Sequence, residues 1–287
     1  MRFISENDRI SGGMFGAAAG DAVGLTFEGM MPAPRRSLTV TGGGQFGLVK
    51  GAVTDDTLMM LAVAEACKSS GQIDRDLFFR RMILTVAEEP QTFGRTTKMF
   101  CSLLEQGCFA DAAAKTIDLL FGSRTNGSVM RTLPVGLICQ MDCAAETARN
   151  VSAFTHFSPA AGDCCAAVSV MASVLLNGGG KQEACDAGMR AAGYDIMTGK
   201  LIPSVDAVES TRCAVFCFLE GNSVRDVIER AVSLGGDTDT IAAIAGGLAG
   251  VYYGVSDVPK EWMEMILIRK RIAAAAEKIS RAGRMRF

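Results

Sequence analysis

The chain has 287 residues, 49% of them hydrophobic and 21% charged, which is enough apolar material for a large core and too much for a disordered chain. Lysine and arginine number 29 against 31 aspartates and glutamates, so a net charge of -2 leaves no basic footprint for nucleic acid or an anionic membrane surface. The ten cysteines form no C-x-x-C pair; Cys139/Cys143 and Cys213/Cys217 lie four apart in apolar stretches, and the reading is small buried hydrophobes in a reducing compartment.

From the start of the chain, Arg2, Glu6, Asp8 and Arg9 precede any apolar run, which is not the pattern of a secretory signal. The glycine- and alanine-rich stretch 10–27 is interrupted by Asp21, so it does not read as a membrane span. The expectation is a cytoplasmic chain of one domain, 1–287, with no membrane segment.

Helical periodicity runs through almost every long segment. The first helix, 8–24, places Gly12, Gly16, Gly20 and Gly24 four residues apart, a stripe free of side chains along which another helix packs closely. Glycine costs about 1 kcal/mol per helical position relative to alanine, so the stripe implies tight packing. Further helices are expected at 55–69, 75–87, 96–106, 109–121, 143–153, 160–177, 181–192, 206–220, 223–234, 239–253 and 260–282. Asp74, Ser158 and Ser223 read as N-caps, and the glycine runs 42–44 and 178–180 as loops. Phe78-Phe79 looks like core or interface and Trp262 like a helix anchor. Segments with clean alternation of β-branched and aromatic residues are missing, so the fold is expected to be all-α.

Two acidic clusters sit where a loop turns into a small-residue helix: Thr54-Asp55-Asp56-Thr57 and Gly235-Gly236-Asp237-Thr238-Asp239-Thr240. Either alone is explained by N-capping and the helix dipole. Together they offer four carboxylates plus threonine hydroxyls, an oxygen-rich set of the kind hard divalent cations require. Two cations sharing such a set lie about 3.5–4 Å apart. Gly235 and Gly236 let the backbone approach the ions. A third feature, Thr125-Asn126-Gly127-Ser128-Val129-Met130-Arg131, opens another apolar helix; it reads as a phosphate or ribose site or as an ordinary Asn-Gly turn. His156 is the sole histidine, and no nucleophile elbow accompanies it, so it is either structural or a ligand contact. Glu28, Glu88 and Glu89 read in isolation as loop and helix-end acids.

Taken together, Gly16-Ala17-Ala18-Ala19-Gly20-Asp21-Ala22-Val23-Gly24 with Glu28, the Thr54–Thr57 box, Asn126-Gly127-Ser128-Val129-Met130-Arg131, Thr155-His156 and the 235–240 box resemble the ADP-ribosylglycohydrolase family, in family order over about residues 10 to 254. The resemblance implies a single compact orthogonal helical domain around two divalent cations, Mg²⁺ or Mn²⁺. It implies Thr54, Asp55 and Asp56 as metal ligands from one side and Asp237, Asp239 and Thr240 from the other. Asn126, Gly127, Ser128 and Met130 would line the ADP-ribose cleft, with His156 near the diphosphate or ribose. Asp21 would brace the first helix. Glu28 resembles the acid that gates or assists catalysis, and the proton carrier is expected among Glu28, Asp55, Asp56 and Asp239. The implied substrate is an ADP-ribosylated protein or a small ADP-ribose conjugate. The competing expectation is an ADP-ribose-binding relative without turnover, against which the retained aspartates argue; oligomeric state and linkage are left open.

Overall fold

The computed structural model describes residues 4–35, 37–122 and 124–282. Among the described residues fourteen α-helices follow one another: α1 Glu6–Gly24, α2 Asp55–Glu65, α3 Arg75–Glu88, α4 Arg95–Glu105, α5 Ala112–Leu119, α6 Leu133–Ile138, α7 Met141–Ala153, α8 Pro159–Leu176, α9 Lys181–Ala192, α10 Ala207–Glu220, α11 Val224–Ser233, α12 Thr238–Tyr253, α13 Lys260–Met265 and α14 Arg269–Arg281. Among the described residues only isolated β-bridges occur, at Gly43–Leu48, Cys67–Ile73 and Thr125–Asp206, so the all-α expectation is met.

The glycine stripe decides the architecture. A Cβ at Gly12, Gly16 or Gly20 would fall on the carbonyl oxygens of Gly250, Gly246 and Ala242, and one at Gly24 would fall against Asp239 and Thr238. These partners run backwards along α12, so α1 and α12 are antiparallel and touch backbone to backbone. Gly246 and Gly250 answer in kind, since a Cβ there would fall on the carbonyls of Gly16 and Gly12. The helical cost of these glycines is offset by close backbone packing, in which Cα–H groups face carbonyl oxygens. The consequence for function is geometric: the C-terminal end of α1 is brought against the N-terminal end of α12.

The core surrounds this pair. Phe78 and Phe79 are buried and meet Phe154 and Phe100 ring to ring. Trp262 is fully buried with the Arg225 guanidinium 4.5 Å over its ring. Helix α8 is long and apolar enough to cross a membrane by length and composition, yet 83% of it is buried inside the protein, and it serves here as a core helix. Among the described residues no disulfide is formed, and nine of the ten cysteines are buried.

Most helix ends fall within a few residues of expectation. Asp74 and Ser223 cap as predicted, accepting from the backbone N–H of Leu77 at 2.9 Å and Asp226 at 3.1 Å. Ser158 occupies the cap position of α8 without a side-chain bond, and Pro159 starts the helix. Two expectations are corrected. The segment 55–69 stops being helical after Glu65, because the chain turns and pairs Lys68 N–H with Gln72 O and Asp74 N–H with Ala66 O. The segment 260–282 is two helices: Ile266 is extended, and Leu267 N–H leaves the helix to bond Gly51 O at 2.9 Å.

Candidate active site

Three helix starts and one helix end converge on a cavity of about 380 Å³. It is lined by Glu28, Asp55, Asp56, Asn126, Gly127, Met130, His156, Asp237, Asp239 and Thr240, so most of the residues singled out from the sequence meet in one place.

The first acidic box is held by Asp21. This fully buried carboxylate on α1 accepts from Thr54 N–H and Oγ1–H and from Thr57 N–H and Oγ1–H at 3.0, 2.9, 3.1 and 2.5 Å. Asp21 was expected to brace the first helix; it ties α1 to the start of α2. Burial raises its pKa and these four donors oppose the rise. Thr54 also caps α2, and its hydroxyl lies 3.2 Å from Asp56 Oδ2. Thr54, expected as a metal ligand, is fully buried behind the cavity lining, with its hydroxyl between Asp21 and Asp56.

The second box is held by backbone. Gly235 and Gly236 have φ of +74° and +66°, and a Cβ on Gly236 would fall on the Pro203 carbonyl, so only glycine fits. Gly29 N–H bonds Gly236 O and Gly236 N–H bonds Met30 O, both at 2.8 Å. That two-bond clamp carries Glu28 to the N-terminus of α12. Thr238 Oγ1 donates to Gly24 O at 2.8 Å, closing the joint from the other side. Asn126 Nδ2 donates to Asp237 Oδ2 at 2.6 Å, so Asn126 orients a carboxylate as well as lining the cavity. Thr240 links the two boxes, its hydroxyl lying 3.5 Å from Asp56 Oδ2.

Glu28, Asp237 and Asp239 each place a carboxylate oxygen within 4.8 Å of the others. Glu28 therefore joins a ligand-like triad, whereas the sequence pointed to it only as an acid near the reaction. Burial is the main cause that pushes Asp56, Asp55 and Asp239 well above the usual carboxylate range, with neighbouring carboxylates adding to it. Asp237 and Glu28 are raised by burial too. Among the described residues no lysine or arginine forms an ion pair with these acids. Glu28 Oε2 and Asp56 Oδ1 are buried without any hydrogen-bond donor. An all-oxygen set with two orphaned acceptors and no basic partner fits a hard divalent cation.

Beside the acids, the 126–130 loop and His156 are uncharged. His156 is buried with Nδ1 2.7 Å from Thr155 Oγ1, and burial, helped by Arg131, pushes its pKa down to about 3. A Cβ on Gly127 would lie 2.9 Å from His156 Nε2, so the glycine lets the imidazole lie against the loop. Ser128 is turned into the core, where its hydroxyl accepts from Ser152 Oγ at 2.9 Å, and it is not among the residues that line the cavity. Sequence reasoning missed Phe46, Arg95, Thr97, Leu120 and Val205, which also line the cavity. Arg95 and Thr97 sit at the start of α4 after Gly94, a helix-start signal that the sequence carried; Phe46, Leu120 and Val205 sit outside helices and gave none. Glu88 and Glu89, at the end of α3, do not line the cavity.

Comparison with known proteins agrees with this geometry. The ADP-ribosylglycohydrolase family pattern matches residues 4–286. An ADP-ribosylarginine hydrolase, Tri1, of Pseudomonas putida (strain GB-1) is 29% identical over 289 residues, covering 95% of this chain and 78% of that protein. The ADP-ribosyl-[dinitrogen reductase] glycohydrolase of Rhodospirillum rubrum is 28% identical over 274 residues, covering 91% of each. A solved ADP-ribosylglycohydrolase-related protein complex superimposes with a TM-score of 0.82 at 25% identity, over 97% of this chain and 99% of that one. With helices, cavity and acidic boxes in the same arrangement that its sequence announced, the chain belongs to the ADP-ribosylglycohydrolase family and is a hydrolase of ADP-ribose glycosidic bonds.

Proposed function

We propose that the chain releases ADP-ribose from an ADP-ribosylated protein side chain or a small ADP-ribose conjugate, using two divalent cations, Mg²⁺ or Mn²⁺, at the acidic end of the cavity. The observation that carries this reading is the meeting of Glu28, Asp55, Asp56, Asp237 and Asp239 in one cavity, with Glu28 Oε2 and Asp56 Oδ1 buried and undonated. Asp55, Asp56, Asp237, Asp239 and Thr240 would hold the cations, with Glu28 adjoining through its triad with Asp237 and Asp239. When bound, such cations supply Lewis-acid charge that orients the ribose hydroxyls and makes water a stronger nucleophile.

The chain's own groups do the rest. Asn126 fixes the carboxylate of Asp237, and Asp21 fixes the start of α2, so the acids are pre-oriented. Water adds to the anomeric carbon as the bond to the acceptor breaks; one carboxylate, Glu28 or an aspartate of the boxes, takes the water's proton and a proton passes to the leaving group. The neutral wall of Gly127, Met130 and His156 receives the ribose-diphosphate part without adding negative charge. The burial of nine cysteines among apolar residues supports a reducing, cytoplasmic setting.

The test is direct. The purified protein is incubated with ADP-ribosyl-arginine and ADP-ribosyl-serine peptides in Mg²⁺, Mn²⁺ or EDTA, and released ADP-ribose is measured. Release that requires the metal is expected, and the preferred peptide assigns the linkage. Equal release in EDTA would overturn the metal reading, and binding without release from either peptide would favour a protein that only holds ADP-ribose.

A further inference from the structure

Behind the cavity wall lies a charge that the site as described does not use. Arg131 follows Met130, is 0% exposed and does not line the cavity. Its Nη2 donates to the Val151 carbonyl near the C-terminal end of α7 at 2.9 Å, and its guanidinium stands 4.8 Å over the Phe78 ring. Nε and Nη1 have no acceptor, and Arg131 takes part in no ion pair among the described residues. The nearby thiols offer no counter-charge: burial pushes Cys101 up to about 12 and raises Cys165, so both stay neutral. Arg131 itself is lowered only to about 10, again by burial, and remains a cation at neutral pH.

A buried cation with no counter-ion is costly, and an apolar side chain of similar volume would fit a core better. The position of this one is informative. The loop that Arg131 follows lines the cavity with Asn126, Gly127 and Met130, and the charge of Arg131 is felt by His156, which lines the same cavity. Arg95 also lines the cavity, but it is exposed and its field is screened by solvent. The field of a fully buried guanidinium is screened less than that of an exposed one.

We propose that Arg131 is a positioning residue that supplies the fixed positive charge for the anionic, diphosphate-bearing part of the substrate, acting through the 126–130 wall without touching it. This rests on the reading that the cavity takes ADP-ribose. The charge favours a ligand that carries the diphosphate over its neutral nucleoside.

The experiment compares ADP-ribose with uncharged adenosine by calorimetry in Mg²⁺, for wild type, Arg131→Met, Arg131→Gln and Arg131→Lys, with thermal melts of each. Wild-type protein that binds no ADP-ribose would remove the underlying reading, whatever the variants do. If wild type binds, Arg131→Met and Arg131→Gln are expected to bind ADP-ribose about ten-fold more weakly, a loss of about 1.4 kcal/mol. Adenosine should stay within about two-fold, Arg131→Lys should stay near wild type, and the Met variant should melt no lower. Parallel loss of both ligands, or no loss of either, would overturn the proposal. So would a Met variant that does not fold while the Lys variant does, since the charge would then serve the fold.

Discussion

The starts of α2 and α12 look alike in sequence, each a run of aspartates and threonines ahead of a small-residue helix, yet they are built by different means. At α2 a single buried side chain, Asp21, grips both threonines of the box through four hydrogen bonds. At α12 the backbone does the holding: the Gly235-Gly236 turn is clamped to Gly29 and Met30 and pressed on Pro203, and side chains only trim the result. The lesson is that a ligand set can be half side-chain-braced and half backbone-braced. The first half is sensitive to charge and hydrogen-bond capacity, the second to any added carbon.

The largest effect is expected from separating the two halves altogether. Gly20→Val drives a branched side chain into the Ala242 carbonyl of α12 and should destabilise the fold by about 3 kcal/mol or more, read as a lowered thermal midpoint with turnover lost. A midpoint within a degree of wild type would mean that the α1–α12 contact does not hold the site together.

Next come the acids themselves. Asp56→Asn and Asp239→Asn should each abolish metal-dependent turnover, and in EDTA each should melt no lower than wild type, because removing one negative charge relieves repulsion among buried carboxylates. Full turnover in either variant would strike that residue from the ligand set. The two braces should then give smaller, contrasting losses. Asp21→Asn leaves one oxygen for four donors and should weaken metal binding about 10–100-fold, measured by calorimetric titration of Mn²⁺. Gly236→Ala strains a turn at φ +66° against Pro203 and should cost about 1–3 kcal/mol of stability with a smaller change in metal affinity. If the two variants lose metal affinity equally, the distinction between side-chain and backbone bracing falls.

Much of this was readable before any coordinates. The acidic boxes stood out because two distant helix starts together carry more carboxylate and hydroxyl oxygens than capping needs, and the Asn126 loop and His156 were drawn in by the family resemblance. The fold class followed from periodicity and the lack of alternation. What escaped did so for physical reasons. Phe46 and Val205 lie in irregular segments, where no period tells a cavity wall from a surface loop. Ser128 carries the right chemistry within a tight turn, but which way the turn faces depends on α7, where Ser152 waits to bond it. The helix expected over 260–282 was divided by a partner far away in sequence, Gly51.

Most of the helices, the four-residue glycine stripe and the identity of the carboxylates are written locally, since they rest on periodicity and on the chemistry of single side chains. Long-range packing sets the antiparallel register in which the stripe meets Gly246 and Gly250, the meeting of Glu28 with Asp237 and Asp239, and the burial of Arg131 without an ion pair behind the wall. Each of these is a contact between segments far apart in the chain. Such contacts are fixed by which surfaces exclude water together, and no local pattern records that choice.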